Sequence, residues 1–334
     1  MPSIAVFGAG SIGCYVGGRL CAGGNPVMLI GRGRMAAVIA DHGLGLSDYH
    51  GWKARLTAGQ IPFHTDPAAV ATADLVLVTV KSADTESAAQ ALQPHLKAKA
   101  VVVSLQNGMH NGEQLAKLLP THAVLTGMVP FNVAQTMPGH FHQGSEGALA
   151  IERSPLFDGF LPAFAQAGLA LEQHDDMKPV QWAKLLLNLN NAVNALSGLP
   201  LKAELSQRDY RRVVAAAQRE GIALLQEKKQ ALARLTPLPA HWIPALLDVP
   251  DAVFKLAANK MLAIDPMARS SMQDDLQAGR LTEIAFLQGE IVALADSLGK
   301  KAAVNEKLIQ LVHAAEKGGR RNWSGSDLLK EIRA

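Results

Sequence analysis

Cysteine is nearly absent from this chain: Cys14 and Cys21 are the only two among 334 residues. They stand on one predicted helix, separated by about 10 Å of rise, which is too far for a disulfide. Two unpaired thiols fit a reducing compartment, so the expected location is cytoplasmic. The first apolar stretch has no basic region ahead of it and is consumed by a strand and a glycine turn, so no signal peptide is expected. No run approaches the roughly 20 apolar residues of a membrane span, and no membrane partner is expected. Excess charge is lacking too. Lys and Arg number 32 against 29 Asp and Glu, a formal net charge of +3, and no long basic block occurs, which argues against nucleic acid. An anionic small ligand fits that balance better.

What is present is 49% hydrophobic and 18% charged residues, the composition of an ordinary soluble globule. The length is comfortable for two domains. Over the first 175 residues, short apolar β-branched runs alternate with helical segments, as in a mostly parallel sheet covered on both faces. Predicted strands are 4–7, 27–30, 75–80, 100–105 and 123–127, with 43–62 read as a hairpin-like insertion or irregular strands. After His174-Asp175-Asp176 the β-branched runs vanish and helical periodicity dominates. The expected division is therefore 1–175, a doubly wound α/β domain of Rossmann type, and 176–334, an all-helical domain. A proline-rich break falls at 235–250. There is no internal repeat and no low-complexity tract.

The first strand runs directly into Gly8-Ala9-Gly10-Ser11-Ile12-Gly13, and 11–22 reads as a helix. Such a turn suits a dinucleotide: one glycine permits the tight turn, the second lets a pyrophosphate approach the backbone, and the third lets helix and strand pack closely. The diphosphate would sit at the positive helix end. A tight turn without a ligand is the plainer alternative. At the end of the second strand, where an acidic residue would accept from the 2′-hydroxyl of NAD, stands Gly31-Arg32-Gly33-Arg34. A guanidinium can hold a 2′-phosphate bidentately, so the expected cofactor is NADPH/NADP+, with Arg32 as its contact. Solvated arginines at a helix start are the competing reading.

Two further strand ends carry polar residues. Lys81 could reach cofactor phosphate, ribose or a substrate anion, and Asn107 offers a donor and an acceptor beside the nicotinamide ribose. In the second domain Lys184 lies amid leucines, with Asn188 on the same helix face. A lysine so placed often only snorkels to water; the functional reading is a proton donor tuned by partial burial. Ser271 and Glu283 would be about 18 Å apart on a continuous helix, but Gly279 suggests a bend, and spacing leaves open whether both reach one ligand. His140 and His142, near His122 and Glu146, lie in what reads as glycine-rich loop without firm ligand spacing, and no metal is expected. Trp182 and Trp242 read as packing residues, with Trp182 also a candidate wall of the substrate pocket.

The glycine turn, Lys81, Gln106-Asn107-Gly108-Met109, Trp182-Ala183-Lys184-Leu185 with Asn188, Ser271-Met272, and Gly279-Arg280-Leu281-Thr282-Glu283-Ile284 occur in an order that spans nearly the whole chain. In that ordered set the chain resembles the ketopantoate reductase family. The resemblance implies a Rossmann domain joined to a helical domain, and NADPH-dependent reduction of 2-dehydropantoate to (R)-pantoate on the route to pantothenate and coenzyme A. It implies Lys184 as general acid, Asn107 in contact with cofactor and substrate, and Asn188 and Ser271 at the substrate. It also implies Glu283 beside the cofactor and reacting centre, and Lys81 near the cofactor.

The pattern departs from the family at three places. A second asparagine, common eight residues after the lysine, is here Ala192, with Asn190, Asn191 and Asn194 around it. His110 replaces a glycine, and Ala285 an acidic residue. These departures bear on the substrate, so a paralogue reducing another 2-oxo acid stays open. So does an NADPH-sensing protein without turnover. The sequence does not reveal the oligomeric state, and a homodimer through the helical domain stays open.

Overall fold

The computed structural model describes residues 1–257 and 268–333. The chain divides into two compact units, Met1–Met177 and Lys178–Ala334.

The first unit has twelve strands: β1 Ile4–Phe7, β2 Val27–Ile30, β3 Leu44–Asp48, β4 Lys53–Leu56, β5 Phe63–His64, β6 Leu75–Val78, β7 Val101–Ser104, β8 Ala123–Met128, β9 Val133–Met137, β10 His140–Gln143, β11 Leu149–Glu152 and β12 Leu171–His174. Its helices are α1 Ser11–Ala22, α2 Gly33–His42, α3 Thr85–Leu92, α4 Asn111–Leu118 and α5 Leu161–Gln166. Eight strands form one sheet in the order β12-β11-β8-β7-β6-β1-β2-β5. It is parallel from β8 to β5, while β11 runs antiparallel to β8. The reason is legible in β6 and β7: Leu-Val-Leu-Val and Val-Val-Val-Ser are buried at every position, as strands covered on both faces must be. The chain passes from β1 outward to β2 and returns to β1's other side at β6, so strand order reverses between β1 and β6. That reversal is where α/β sheets open a ligand crevice at their strand ends.

The insertion at 43–62 does form a hairpin, β3 with β4. The same stretch holds a pairing the sequence reading did not foresee. β10 pairs parallel with β3 and antiparallel with β9, completing a second sheet ordered β4-β3-β10-β9. His140 and His142 are thus on a strand, which corrects the loop expected there. Both rings meet Ser47 Oγ, at 2.9 and 2.8 Å. Among the described residues no group of three or more potential metal ligands occurs.

Helix α1 is buried along most of its length because both sheets press on it. A Cβ at Gly17 would lie 2.7 Å from Leu29 of the large sheet, and one at Gly18 2.7 Å from Leu44 and Leu46 of the small one. Arg19 locks the contact: it stacks 3.8 Å over the Trp52 ring, pairs with Asp48 at 3.2 Å and donates to the Ala167 and Gly168 carbonyls. Burial raises the Cys14 thiol to about 12, so it stays protonated and inert.

The second unit is helical: α6 Lys178–Asn188, α7 Asn190–Ser197, α8 Leu201–Leu205, α9 Arg208–Glu227, α10 Ile243–Asp248, α11 Asp251–Ala257, α12 Ser271–Gln277, α13 Gln288–Ser297, α14 Ala303–Glu316 and α15 Gly325–Glu331. The 20-residue α9 is its axis. At Gly221 an added Cβ would stand 2.9 Å from both Leu186 of α6 and Ile291 of α13, so the glycine sets how closely three helices approach. Arg211, fully buried, bonds the carbonyls of Leu205, Leu247 and Val249 and lies over Phe254. Trp182 is buried as a packing residue should be, whereas Trp242 is 60% exposed, which corrects its expected role.

Candidate active site

In the first unit the glycine turn, Lys81 and Asn107 come together at the carboxyl ends of β1, β6 and β7. Gly8 has φ +108, and a Cβ there would strike Val80 N at 2.6 Å. Only glycine fits. A Cβ on Gly13 would stand 2.5 Å from Gly8 O and 2.6 Å from Thr79 Oγ1, so this glycine lets α1 settle against the sheet. Gly10 differs. A Cβ there would meet nothing nearer than Gly8 O at 3.9 Å, and its φ of −88° suits any residue. Protein packing does not require this glycine, so the space over it is the cradle a pyrophosphate would fill. Ala9, Ser11 and Ile12 complete the turn, whose N-terminal amides of α1 form a positive helix end. The residues present fit a dinucleotide.

Strand β6 ends at Val78, two residues earlier than expected; Thr79 N still donates to Phe7 O at 2.9 Å, and its Oγ1 donates to Gly8 O at 2.7 Å. The turn is thereby tied to the segment carrying Lys81. That segment is in turn tied to the loop carrying Asn107: Ser82 Oγ donates to Asn107 O at 2.8 Å, and Asn111 donates to the same carbonyl. Beneath it, Gln106 donates to Thr85 and Thr85 to Asn111, both at 2.8 Å. This polar clamp went unnoticed in the sequence, where its members come from loops and helix starts and follow no spacing rule. Arg32, exposed at the end of β2, is paired with Asp84 at 3.1 Å, a partner equally unforeseen.

In the second unit Lys184 and Asn188 lie on α6, as the periodicity predicts. Part of the Lys184 side chain reaches solvent, but loss of water around its ammonium lowers the pKa from 10.5 to about 8. Helix α6 breaks at Leu189 before α7 begins. Carbonyls along this interrupted helix are met by side chains of other elements. Gln218 of α9 donates to Leu186 O at 3.0 Å, Gln288 of α13 to Leu189 O at 2.8 Å, and Ser270 to Asn191 O at 3.3 Å.

The same bonds bring the other residues of this unit toward the break. Gln288 lies five positions beyond Glu283, so the Glu283 segment is anchored beside the Asn188 end of α6. Glu316 holds that segment from the other side by accepting from Thr282 N and Oγ1 at 2.8 and 2.7 Å. Gly279, at φ +64, makes the bend that separates Ser271 from Glu283. Ser271 is exposed as the first residue of α12, capped by Ser270. Of the three asparagines around Ala192, Asn194 is fully buried and engaged at both ends of its amide, and Asn190 donates to Glu204. The Asn191 side chain is partly exposed and has no hydrogen-bond partner among the described residues.

Residues 4–155 match the model of the family described as Ketopantoate reductase PanE/ApbA, and residues 176–316 match its C-terminal counterpart. A 2-dehydropantoate 2-reductase of Halobacterium salinarum is 30% identical over 323 residues, covering 95% of this chain and 99% of that one. The chain belongs to the ketopantoate reductase family. Its fold is that of the family's crystal structure from Ralstonia eutropha JMP134, with a TM-score of 0.79 and 32% identity over 95% of this chain and 99% of that one. The ternary structure of D-mandelate dehydrogenase with NADH and anilino(oxo)acetate shares the fold at a TM-score of 0.74 and 22% identity, covering 95% and 99%. The ketopantoate reductase models thus cover both units, and relatives named 2-dehydropantoate 2-reductase are oxidoreductases by that name.

Proposed function

We propose that this protein reduces 2-dehydropantoate to (R)-pantoate with NADPH, in the cytoplasm, on the route to pantothenate and coenzyme A. The observation that carries the reading is Lys184: the lysine of the family motif has an ammonium whose pKa has moved to about 8. At pH 7 about nine tenths of such a group is protonated, and it still gives up its proton far more readily than an ordinary lysine. A sensor that only bound the cofactor would gain nothing from so costly a placement.

In this mechanism bound NADPH supplies the hydride that reaches the ketone carbon. Lys184 stabilises the negative charge that develops on the carbonyl oxygen and delivers the proton to it, leaving a secondary alcohol. The neutral amine then recovers its proton from solvent. Asn188 and Ser271 orient the substrate by hydrogen bonds. Glu283 orients substrate or ribose hydroxyls and favours the charged form of Lys184. On the cofactor side, the turn from Gly8 to Gly13 holds the pyrophosphate, Lys81 and Asn107 hold phosphate or ribose, and Arg32 meets the 2′-phosphate. For Arg32 that means exchanging one anion, Asp84, for a stronger one. Assembly as a homodimer belongs to the same reading and is tested by light scattering.

The test is NADPH oxidation, followed by absorbance, with 2-dehydropantoate beside a panel of other 2-oxo acids, repeated with NADH. A lead of at least about tenfold in kcat/KM for 2-dehydropantoate, roughly 1.4 kcal/mol, supports this substrate. A lead for another acid favours the paralogue reading, whose specific support is Ala192, fully buried where the family commonly carries an amide. NADPH binding without turnover on any acid would establish the sensor.

A further inference from the structure

The helical unit contains a buried polar cluster that the mechanism does not use. Glu204, at the end of α8, is fully buried, and its hydrogen-bond donors in the cluster are two amides: Asn194 at 3.0 Å and Asn190 at 3.4 Å. Tyr210 of α9 also faces this carboxyl. Asn194 uses the rest of its amide on two other segments. Its Nδ2 donates to Leu199 O at 2.9 Å, and its Oδ1 accepts from Ser270 N at 2.9 Å. Ser270 then caps α12, accepting from Gln273 N at 3.1 Å while its hydroxyl donates to Asn191 O. One buried side chain therefore joins α7, the loop before α8 and the first turn of α12.

Such a cluster is expensive to build, since each amide and carboxyl has been taken from water. An apolar residue at 194 would fill the volume as well, but it could not fix the backbone of residue 270 by direction. The next residue is Ser271. It is exposed at the start of α12, where a half-turn of fraying would displace its hydroxyl.

We propose that Asn194 is a positioning residue: through its bond to Ser270 N it holds the first turn of α12 against α7 and so sets where Ser271 meets the substrate. This rests on the reading of Ser271 as a substrate contact given above. Asn194 acts through Ser270 and touches neither substrate nor cofactor.

The experiment uses the full chain with NADPH and whichever 2-oxo acid the wild type turns over best. Asn194→Ala, Ser271→Ala and the double variant are compared by KM, kcat, NADPH Kd and hydrogen exchange of the peptide covering 268–277. Asn194→Ala is expected to speed exchange there about tenfold and to raise KM about tenfold, with kcat within about threefold and NADPH Kd unchanged. The double variant is expected to show no higher KM than the worse single, because both changes remove one interaction. Additive effects, an unchanged KM or unchanged exchange in Asn194→Ala would overturn the positioning role. Should that variant fail to fold, Asn194→Leu takes its place under the same criteria, since it fills the volume but cannot accept from Ser270 N. A wild-type KM in Ser271→Ala would overturn the reading of Ser271, and with it the purpose assigned to Asn194. Absence of wild-type turnover on every acid would overturn the proposed function itself.

Discussion

Replacing Lys184 with methionine should make the protein more stable and nearly inactive at once. The stem is about conserved in length, the charge is lost, and the magnitude follows from the ammonium's pKa. It lies at 10.5 when solvated and at about 8 in the folded chain, and at 1.36 kcal/mol per pKa unit the charged form costs roughly 3 kcal/mol on folding. Below pH 8 both states carry the proton and the whole cost is present. Between about 8 and 10.5 the unfolded chain binds a proton that the folded chain has released, so wild-type stability rises with pH across that window. Lys184→Met should therefore unfold later than wild type at pH 7, by up to roughly 3 kcal/mol, and the two should converge toward pH 10.5. Denaturant unfolding from pH 7 to 10 measures the difference. The same variant should lose about 10²-fold or more in kcat, the scale for removing a general acid. Wild-type kcat/KM should decline above pH 8 as the donor is lost. Parallel stability curves for the two proteins across that range, or near-wild-type turnover by the variant, would refute the assignment.

The remaining predictions concern the cofactor turn, its selectivity and Glu204. Gly10→Ala should leave stability within about 1 kcal/mol yet raise the NADPH Kd at least about tenfold, whereas Gly13→Ala should cost about 1–3 kcal/mol of stability by overpacking. Chemical denaturation beside cofactor titration separates the two. Arg32→Ala should weaken NADPH about tenfold or more and NADH less than about twofold, and Asp84→Asn should tighten NADPH by releasing Arg32; equal losses for both cofactors in Arg32→Ala would count against the assignment. Burial raises Glu204 from 4.5 to about 8 despite the amides that stabilise its charge. The folded chain therefore holds a proton that the unfolded chain has lost between those values, and stability is given up as pH climbs from about 4.5 to about 8. Glu204→Gln does not titrate, so its melting temperature relative to wild type should rise across that interval and level off above it. A pH-independent difference would show that the carboxyl is not desolvated.

Much of this molecule was legible in the order of its residues. The glycine turn, the strand that precedes it and the helix that follows it depend on contacts between near neighbours, and α1 spans Ser11–Ala22 as its pattern predicts. The change from β-branched runs to helical periodicity marks where one unit ends, since each texture must bury its own apolar face. Lys184 and Asn188 were placed on one helix by spacing alone. Other features were invisible because they depend on residues far apart in the chain. Strand β10 is recognisable only beside β3, nearly a hundred positions earlier, which supplies the backbone partners its own sequence does not advertise. Asp84 reaches Arg32 across 52 positions, and Asn194 reaches Ser270 across 76. Sequence by itself determined the type of most elements, the glycine turn and the helix face that Lys184 and Asn188 share, because local geometry and residue chemistry decide those. Only the tertiary structure decided how far the Lys184 ammonium lies from water, which glycine is left open to a ligand, and which asparagine is consumed in holding the fold. Desolvation and hydrogen-bond satisfaction are set by everything packed around a group, and that environment exists only once the chain has folded.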